Sequence, residues 1–396
     1  MPRVIVVGAG INGVTAAIEL NRRRHKVILI DPGPLPHPLA ASTDISKAIR
    51  AAYGADEQYT ALAEQSIGLW RKWNEEFDAP LYHEVGDMFL RQAEMQPGDF
   101  EYESLRLFEQ RGRKFERINS AKLRERFPAW NADRYCDGVF DPEGGYAESG
   151  RVVAALVRRA QSLGIELCEG AAFSCLDEDD NCVKGVVLDD GQRIAGDVVV
   201  VATGAWTPLV LPFTKQYLRA TGHPVFHLKP SQPELFVPER FPVFGADITR
   251  TGYYGFPLNS DGVVKIANHG VGREMSPDSP ARVVTPEEES NLREFLSSTF
   301  PALANEPVVY TRICLYCDTN DGDFWIAPDP KRPGLIVAAG DNGHGFKFAP
   351  ILGELIADAV ENKPNPLLQK FRWRPEVHPQ RGKEAARFQP VRDRPG

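Results

Sequence analysis

The sequence predicts an α/β fold in which a parallel sheet with covering helices is interrupted by strand-rich insertions. The opening segment, "RVIVVGAGINGVTAAIELNRRRHKVILID", reads as strand, glycine turn, helix and strand. A strand and helix rhythm returns from Gly150 and again near residue 330, whereas the stretches between are rich in short strands. The consecutive apolar residues 4–7 suit a parallel strand that is covered on both faces.

The first half of the chain supplies most of the predicted parallel unit. After "KVILI" comes a polar stretch in which Ile45, Ile49 and Ala52 have helical spacing, and then a long helix from about Asp56 to Phe77. The segment 81–144 mixes short strands such as "DMFLR" with helices such as "SAKLRERF". From residue 150 we expect the helix "RVVAALVRRAQSLG", the strand "IELCEG" and the buried strand "DVVVVATGAW".

The second half begins with an antiparallel unit and ends with the last parallel strand. "GYYGFPL" and "GVVKIANHG" are expected to pair, and Thr285, Pro286 and Glu288 predict a helix with a capping box. "GLIVAAG" and "FAPILGELIADAVEN" are the last parallel strand and its helix. We therefore assign residues 1–80, 145–220 and 330–396 to one domain, and 81–144 and 221–329 to a substrate domain. The last ~15 residues are expected to lie on the surface as a tail.

Composition excludes several classes of function. The 396 residues carry a formal charge of −8, which leaves no general basic field for nucleic acid. No apolar run approaches the ~18 residues that span a bilayer, and glycines interrupt the first apolar run where a signal peptide would be continuous. The six cysteines indicate a reducing, cytoplasmic protein. Only Cys314 and Cys317 have C-x-x-C spacing, and without a second pair they do not predict a metal site.

The glycine turn near the N-terminus predicts a dinucleotide site. Gly8, Gly10 and Gly13 fit G-x-G-x-x-G between a strand and a helix, and Asp31 ends the next strand about 20 residues on. Glycines allow the backbone to approach a pyrophosphate, and the carboxylate can accept hydrogen bonds from ribose hydroxyls. This motif leaves NAD and FAD open. A second strand that ends in a glycine turn, "VVVVATGAW", lies far down the chain in a unit interrupted by an insertion. This arrangement is similar to that of FAD oxidoreductases, and the similarity favours FAD.

Four separated segments carry a resemblance to one family. "VVGAGINGVTAAIEL", "DISKAIRAAYG", "RICLYCDTNDGDFWI" and "AAGDNGHGFKFAPILGEL" resemble, in order and spacing, the monomeric sarcosine oxidases and their relatives, the N-methyltryptophan, pipecolate and fructosyl amino acid oxidases. The resemblance covers nearly the whole chain. It implies a Rossmann-like FAD-binding domain with an interleaved, mainly antiparallel β-sheet substrate domain, in a monomeric protein.

The resemblance also implies a covalent cofactor. Cys314 matches the cysteine that in this family bonds through sulfur to the flavin 8α-methyl carbon. Taken alone, Cys314 could equally be a buried, inert cysteine. For Cys317 we expect such a structural role. The residues assigned to the cofactor are Gly8, Gly10, Gly13, Asp31, Ser42, Ser46, Lys47, Cys314, Gly343, Gly345 and Lys347.

Two cations match the groups that bind the substrate carboxylate in this family, Arg50 and Lys347. Arginine offers a planar fork and lysine a point charge, and both suit a carboxylate. Lys265 matches the lysine that promotes the reaction of the flavin with dioxygen, where a positive charge stabilises superoxide as it forms. Alternation within "VVKIANHG" alone would turn Lys265 to the polar face.

Three further side chains match active-site positions. They are His269, Tyr254 and Tyr316, of which the histidine titrates near neutrality. One departure concerns Ser46 and Lys47, which stand where sarcosine oxidase has Thr-Arg and are closer to the fructosyl amino acid oxidases. The charge of Lys47, also assigned to catalysis, is kept but the fork is lost.

The expected activity is that of a flavin-dependent oxidase of a secondary amine. An N-substituted α-amino acid would give an imine, which hydrolyses, and hydrogen peroxide. Fructosyl amino acids, cyclic imino acids and a biosynthetic amine remain open as substrates. Outside the family, an NAD-linked dehydrogenase and a non-catalytic flavin-binding module remain open. The sequence assigns no role to His344.

Overall fold

The computed structural model describes residues 2–77, 79–180, 182–377 and 384–387. Its helices are α1 Ile11–Arg22, α2 Glu57–Glu76, α3 Phe100–Gln110, α4 Ser120–Arg126, α5 Ser149–Ser162, α6 Thr207–Val210, α7 Ile248–Thr251, α8 Pro286–Thr299, α9 Ala349–Val360 and α10 Pro366–Lys370. Its strands are β1 Arg3–Val7, β2 Lys26–Asp31, β3 Lys47–Ile49, β4 Tyr82–His83, β5 Asp87–Arg91, β6 Glu116–Arg117, β7 Asp137–Asp141, β8 Gly145–Ala147, β9 Glu166–Glu169, β10 Phe173–Glu178, β11 Val183–Leu188, β12 Arg193–Ala195, β13 Val198–Val201, β14 Leu218–Leu228, β15 Val243–Ala246, β16 Tyr253–Phe256, β17 Val264–Asn268, β18 Arg273–Glu274, β19 Val308–Thr319, β20 Trp325–Pro328 and β21 Leu335–Ala339.

A six-stranded sheet lies at the centre of the first unit. Its order is β20-β21-β13-β1-β2-β9, and every neighbouring pair is parallel except β20 with β21. Helix α1 packs against α9 and α5 over this sheet. The apolar residues 4–6 are fully buried, as a parallel strand with both faces covered requires. The carboxyl ends of β1 and β13 therefore meet at one edge, where α/β proteins bind their ligands.

A larger sheet forms the second unit and supplies most of the catalytic candidates. Its order is β18-β14-β17-β16-β15-β5-β7-β6, and β19 also pairs with β14. All pairs are antiparallel except β15 with β5. The long pair of β14 and β19 brings the segment with Cys314 opposite His223. Because these strands run side by side, side chains from distant parts of the chain converge on one face.

Most elements predicted from periodicity are confirmed. The pairing of β16 with β17 is antiparallel, and β21 is the parallel strand before α9. Helix α8 begins with the predicted capping box, in which Thr285 and Glu288 bond to each other's backbone N–H groups. Strand β20 joins the six-stranded sheet. The last part of the chain that contributes to this sheet therefore begins at residue 325, five residues before the assigned domain boundary at 330.

The helical spacing of Ile45, Ile49 and Ala52 was misleading. Residues 47–49 are instead strand β3, which pairs with β8 in a three-stranded sheet that also contains β4. Tertiary pairing with the backbone of β8 outweighs the weak local preference of a short polar segment. A second three-stranded sheet joins β10, β11 and β12. Among the described helices, none combines the length and the apolar character that a membrane crossing demands.

Candidate functional site

The glycine turn after β1 forms a backbone cradle. Gly8 has a φ of 99°, and a Cβ on Gly13 would lie 1.7 Å from the Gly8 carbonyl oxygen, so neither position tolerates a side chain. Helix α1 begins at this turn with Gly10 as its N-cap, without a side-chain cap and without an acidic residue in its first turn. The Ile11 N–H donates to the Ser42 hydroxyl at 3.4 Å, and the positive dipole end of the helix is available to an anion.

Asp31 fixes this turn and also lines the cavity beside it. Its Oδ2 accepts a hydrogen bond from Ala9 N at 2.8 Å, and its Oδ1 accepts one from Gly33 N at 2.9 Å. Each carboxylate oxygen can accept more than one hydrogen bond. The side chain is thus held by the backbone and retains acceptor capacity for a ligand hydroxyl.

A cavity of about 470 Å³ extends from the N-terminal glycine turn to the segments 314–317 and 341–346. This volume lies within the ~300–1,000 Å³ typical of small-molecule and cofactor sites. Its walls include these predicted cofactor residues: Gly8, Gly10, Asp31, Ser42, Lys47, Cys314, Gly343 and Gly345. Near them the Ser46 hydroxyl is buried without a hydrogen-bond partner in the described part of the chain. The residues present therefore fit an extended dinucleotide.

Cys314 and Lys47 meet at the wall of this cavity. The Lys47 Nζ lies 3.5 Å from the Cys314 Sγ, and both side chains come from strands of different sheets, β3 and β19. Burial acts to lower the pKa of Lys47, but nearby Cys314 and Asp44 outweigh it and the pKa is raised. Lys47 therefore keeps its positive charge beside the sulfur. Cys317, on the same strand, also lines this cavity, but it packs into the hydrophobic core as well, and burial raises the pKa of its thiol.

Lys265 is buried, contrary to what alternation along its strand would give. Its Nζ lies 2.6 Å from Asp44 Oδ2 and donates to the Ser46 carbonyl oxygen at 2.5 Å. It also lies 4.5 Å from the centroid of the Phe256 ring. Burial lowers the pKa of Lys265 to about 8, although Asp44 acts to raise it. Burial would by itself raise the pKa of Asp44, but the Lys265 ammonium overcomes it and holds that pKa well below its ordinary value.

A second, smaller cavity of about 60 Å³ collects the predicted substrate residues. Its walls include Lys47, Arg50, Tyr254, His269, Tyr316, Gly343 and Lys347. Lys47, Tyr316, Gly343 and Phe346 line both cavities, so the two adjoin. Three predicted site residues, Gly13, Ser46 and Lys265, line neither cavity. They lie behind lining residues: Gly13 packs against Gly8, and Lys265 donates to the Ser46 carbonyl oxygen next to Lys47.

Arg50 has a partner that the sequence did not predict. Its Nη2 donates to Glu384 Oε1 at 2.8 Å, and its Nη1 donates to the Ala52 carbonyl oxygen. The guanidinium also lies 4.7 Å from the centroid of the Tyr53 ring. Burial favours neutral Glu384, but Arg50 and His269 hold the pKa of this carboxyl well below its ordinary value. An ionised carboxylate of the chain itself therefore occupies the arginine fork.

The C-terminal segment 384–387 lies in the site and not on the surface. Glu384, Ala386 and Arg387 are buried, and Arg387 forms an ion pair with Asp318 at 2.7 Å. The expectation of a surface tail was wrong for these residues, because two buried ion pairs and Ala386 hold them inside. The rest of the predicted tail lies outside the described residues.

His269 links Glu384 to Tyr316. Its Nε2 lies 3.0 Å from Glu384 Oε2 and its Nδ1 lies 3.3 Å from the Tyr316 hydroxyl. Burial lowers the pKa of His269 despite the carboxylate, and burial raises the pKa of Tyr316 well above its ordinary value. A neutral imidazole must then donate from Nε2 to the carboxylate and accept the tyrosine O–H at Nδ1. Burial likewise raises the pKa of Tyr254, on the same wall.

Lys347 is held in place by the turn that precedes α9. Its Nζ donates to the Tyr53 hydroxyl at 2.9 Å and to the His344 carbonyl oxygen at 2.8 Å. Burial, with Arg50 close by, holds the pKa of Lys347 well below its ordinary value. The His344 ring Nδ1 lies 3.0 Å from the same Tyr53 hydroxyl, so His344 supports the lysine from behind. Gly343 has a φ of 75°, and a Cβ there would lie 2.2 Å from the Tyr316 ring.

Sequence reasoning missed four buried residues of the site. Asp44 and Tyr53 lie in the segment "DISKAIRAAYG", which carries part of the resemblance, but nothing in that segment indicates which residues they contact. Glu384 lies in a segment that reads as polar and exposed. Asp87, which lines the small cavity, begins a strand that was recognised from its apolar residues. The one available signal was that Asp87 is an acidic residue at the start of a buried strand, where acidic residues are rare.

Residues 3–359 match the DAO family, described as FAD dependent oxidoreductases. The chain is 28% identical over 360 residues to a monomeric sarcosine oxidase of Bacillus sp. (strain B-0618), with 89% of this chain and 90% of that one covered. It is 28% identical over 393 residues to an L-saccharopine oxidase of Schizosaccharomyces pombe, with 90% and 89% covered. It is 27% identical over 375 residues to an N-methyl-L-tryptophan oxidase of Salmonella arizonae, with 93% and 97% covered. These relatives confirm the predicted resemblance.

Solved structures agree on the fold. Fructosamine oxidase (Amadoriase II) from Aspergillus fumigatus superposes with a TM-score of 0.81 at 26% identity, covering 98% of this chain and 93% of that one. A fructosyl peptide oxidase superposes with a TM-score of 0.85 at 21% identity, covering 98% and 97%. The α/β fold with a sheet-built substrate unit is thus confirmed.

Proposed function

The chain belongs to the DAO family of FAD dependent oxidoreductases, and we propose that it oxidises a secondary amine, an N-substituted α-amino acid, with dioxygen as electron acceptor. One observation carries the substrate class. Two buried basic side chains, Arg50 and Lys347, line a small cavity that adjoins the large one. Such a cavity favours an anionic ligand group, because a carboxylate fits both an arginine fork and a lysine and favours the charged form of that lysine.

The residues of the large cavity would hold FAD. The glycine turn and the N-terminus of α1 suit its pyrophosphate, Asp31 suits a ribose hydroxyl, and Cys314 is the proposed point of covalent attachment. When bound, FAD supplies the two-electron chemistry by which an amine C–H and N–H become an imine and dioxygen becomes hydrogen peroxide. The imine then takes up water and separates into an amine and a carbonyl compound.

The chain's own residues bind the amine in the form that can react. Arg50 and Lys347 fix the carboxylate, so the amine end is directed toward His269, Tyr254 and Tyr316. Because burial keeps His269 neutral and two cations lie nearby, a protonated amine is disfavoured and the neutral amine is selected. The substrate carboxylate must compete with Glu384 for Arg50, since Glu384 occupies that fork.

A matched pair of amines tests the substrate class. We expect N-methyl-leucine to yield peroxide with the holoenzyme, and N-methyl-isoamylamine, its counterpart without the carboxylate, to react far more slowly. In Arg50→Met the KM for N-methyl-leucine should rise by roughly 10- to 150-fold, the ~1.5–3 kcal/mol of a charged hydrogen bond, and the decarboxylated amine should be little affected. Equal reaction of both amines with the unaltered protein would remove the carboxylate role. Turnover only with added NAD would favour a nicotinamide-linked dehydrogenase.

Covalent attachment through Cys314 is tested by whether flavin absorbance remains with the protein after acid precipitation. After acid precipitation, flavin absorbance should stay with the unaltered protein and appear in the supernatant for Cys314→Ala. Cys317→Ala, which changes the other cysteine that this strand contributes to the cavity wall, is the control and should retain its flavin in the pellet. Flavin in the supernatant of the unaltered protein would refute covalent attachment while leaving noncovalent FAD binding possible.

A further inference from the structure

Asp87 presents a carboxyl group to the substrate cavity. It begins strand β5, in which successive side chains alternate between two faces. Met88 and Leu90 point into the hydrophobic core of the larger sheet, whereas Asp87 and Phe89 line the small cavity. A Cβ on Gly144 would lie 2.5 Å from the Cβ of Asp87, so the backbone packs tightly behind the aspartate. The strand register thus fixes an acidic residue in the wall of the cavity.

This carboxyl group has no partner within the part of the chain that the structure describes. Asp87 is 2% exposed, and neither of its oxygens accepts a hydrogen bond there. The two nearby cations direct their donors elsewhere: Arg50 to Glu384 and the Ala52 carbonyl, Lys347 to Tyr53 and the His344 carbonyl. A buried polar group without a partner destabilises the fold, so an aspartate retained here requires another reason.

A neighbouring aspartate shows how this sheet treats a structural carboxylate. Asp141 lies opposite Asp87 in the pairing of β5 with β7. Asp141 is also buried, but Arg113 donates to both of its oxygens, with contacts of 2.9 and 3.2 Å. The chain thus supplies an arginine to Asp141, which lies on the same face of the sheet but does not line the cavity. Within the described residues it supplies no hydrogen-bond donor to Asp87, which does line the cavity.

We propose that Asp87 is a specificity-determining residue that accepts hydrogen bonds from a protonated nitrogen on the substrate, beyond the amine that is oxidised. This proposal rests on the proposed function and narrows its substrate class to N-substituted amino acids with a cationic side chain. The substrate would be held at two places: its carboxylate by Arg50 and Lys347, and its side-chain cation by Asp87. An ammonium or guanidinium offers several N–H donors, which can satisfy both orphan oxygens at once.

The groups around Asp87 predict whether binding of a cation releases or takes up a proton. Burial raises the pKa of Asp87 to about 8, Asp141 acts in the same direction, and Arg50, Lys347 and Arg113 act to lower it. Without a neighbouring substrate cation, Asp87 is therefore mostly protonated at pH 7. A bound cation favours the carboxylate and lowers the pKa, so binding should release a proton from Asp87 near neutral pH.

Two inert ligands test the inference without turnover. 5-Aminopentanoate and hexanoate have the same carboxylate and chain, and differ in ending with an ammonium or a methyl group. Calorimetry with the holoenzyme at pH 7 should give a Kd at least 10-fold lower for 5-aminopentanoate, with proton release seen as a dependence of the heat on buffer ionisation. In Asp87→Asn this preference should fall to about 2-fold or less. Equal Kd values in the unaltered protein, or an unchanged preference in Asp87→Asn, would overturn the proposal.

A second set of ligands separates this inference from the proposed reaction. The Nα-methyl derivatives of ornithine, norleucine and 5-hydroxynorvaline carry the same methylene chain ending in ammonium, methyl or hydroxyl. We expect kcat/KM to be at least 10-fold higher for the ornithine derivative than for the other two, and the three values to converge in Asp87→Asn. A hydroxyl compound as good as the ammonium compound would overturn the cationic assignment. If none is oxidised while 5-aminopentanoate still binds preferentially, the proposed reaction fails and the role of Asp87 stands.

Discussion

At the scale of single residues, Lys265 shows how tertiary contacts overrule a local pattern. A lysine between two buried residues of a strand would normally turn to solvent, but here all of residues 264–267 are buried. The Asp44 carboxylate and the Ser46 carbonyl oxygen compensate the charge from within the fold. A buried charge kept in this way is costly, and such groups cluster at functional sites.

Replacement of Lys265 tests its proposed role toward dioxygen. In Lys265→Met, anaerobic reduction by substrate should keep nearly its normal rate, whereas reoxidation by dioxygen should slow by about 100-fold, the scale of one lost electrostatic group. Stopped-flow absorbance measures both half-reactions. Lys229→Met removes the exposed lysine that follows β14 and should alter neither rate. An unchanged reoxidation rate in Lys265→Met would exclude Lys265 from the oxygen reaction.

The same residue predicts a pH dependence. Lys265 carries its positive charge below its pKa of about 8 and loses it above, with Asp44 and Lys47 as its charged neighbours. Reoxidation should therefore be fast at pH 6–7 and fall as the pH rises through about 8. In Lys265→Met this transition should be absent. A rate that increases through the same pH range in the unaltered protein would contradict the assignment.

The sequence predicted the identity of these residues far better than their partners. Cys314, Lys347 and Arg50 were recognised because each stands in a short motif whose order and spacing resemble a known family. Glu384 was not, because it is 334 residues from Arg50 along the chain and such a pairing leaves no local pattern. Asp87 was not, because no local pattern shows that a carboxyl group lines a cavity. The cavities themselves, which depend on packed side chains, are invisible to periodicity.

At the scale of elements, the strands with strong periodicity were predicted and the weak ones were not. The apolar runs of β1, β13 and β21 and the capping box of α8 are local signals that agree with the fold. Strand β3 has only three residues and owes its conformation to β8. Strand β3 nevertheless carries Lys47 and is followed directly by Arg50. Two site residues therefore lie in or directly after an element whose conformation the local sequence pattern did not predict.

The C-terminal segment 384–387 supplies the prediction at this scale. Because Glu384 occupies the fork of Arg50, Glu384→Gln should free the guanidinium and lower the Kd of hexanoate by about 10-fold, an effect of ~1.4 kcal/mol, close to that of one charged hydrogen bond. Glu376→Gln removes an equal charge at an exposed position and should change nothing. Calorimetry decides between the outcomes. Weaker binding in Glu384→Gln would mean that Glu384 orients Arg50 and does not compete with the ligand.

At the scale of the whole molecule, the site lies where the two sheets meet. The six-stranded sheet and α1 provide the glycine turn and Asp31, and the larger sheet provides Cys314, Tyr316 and the residues around Lys265. The shared wall formed by Lys47, Tyr316, Gly343 and Phe346 joins the large cavity to the small one. A cofactor that fills the first can therefore meet a substrate bound in the second. The sequence predicted both units, and the contact between them follows only from the folded chain.

Anaerobic mixing tests the central claim most directly. The purified protein should be yellow, and an excess of an N-methyl amino acid without dioxygen should bleach its flavin absorbance. Readmission of dioxygen should restore the colour with one hydrogen peroxide formed for each imine produced. A colourless protein, or a flavin that no secondary amine bleaches, would contradict the assignment as an amine oxidase.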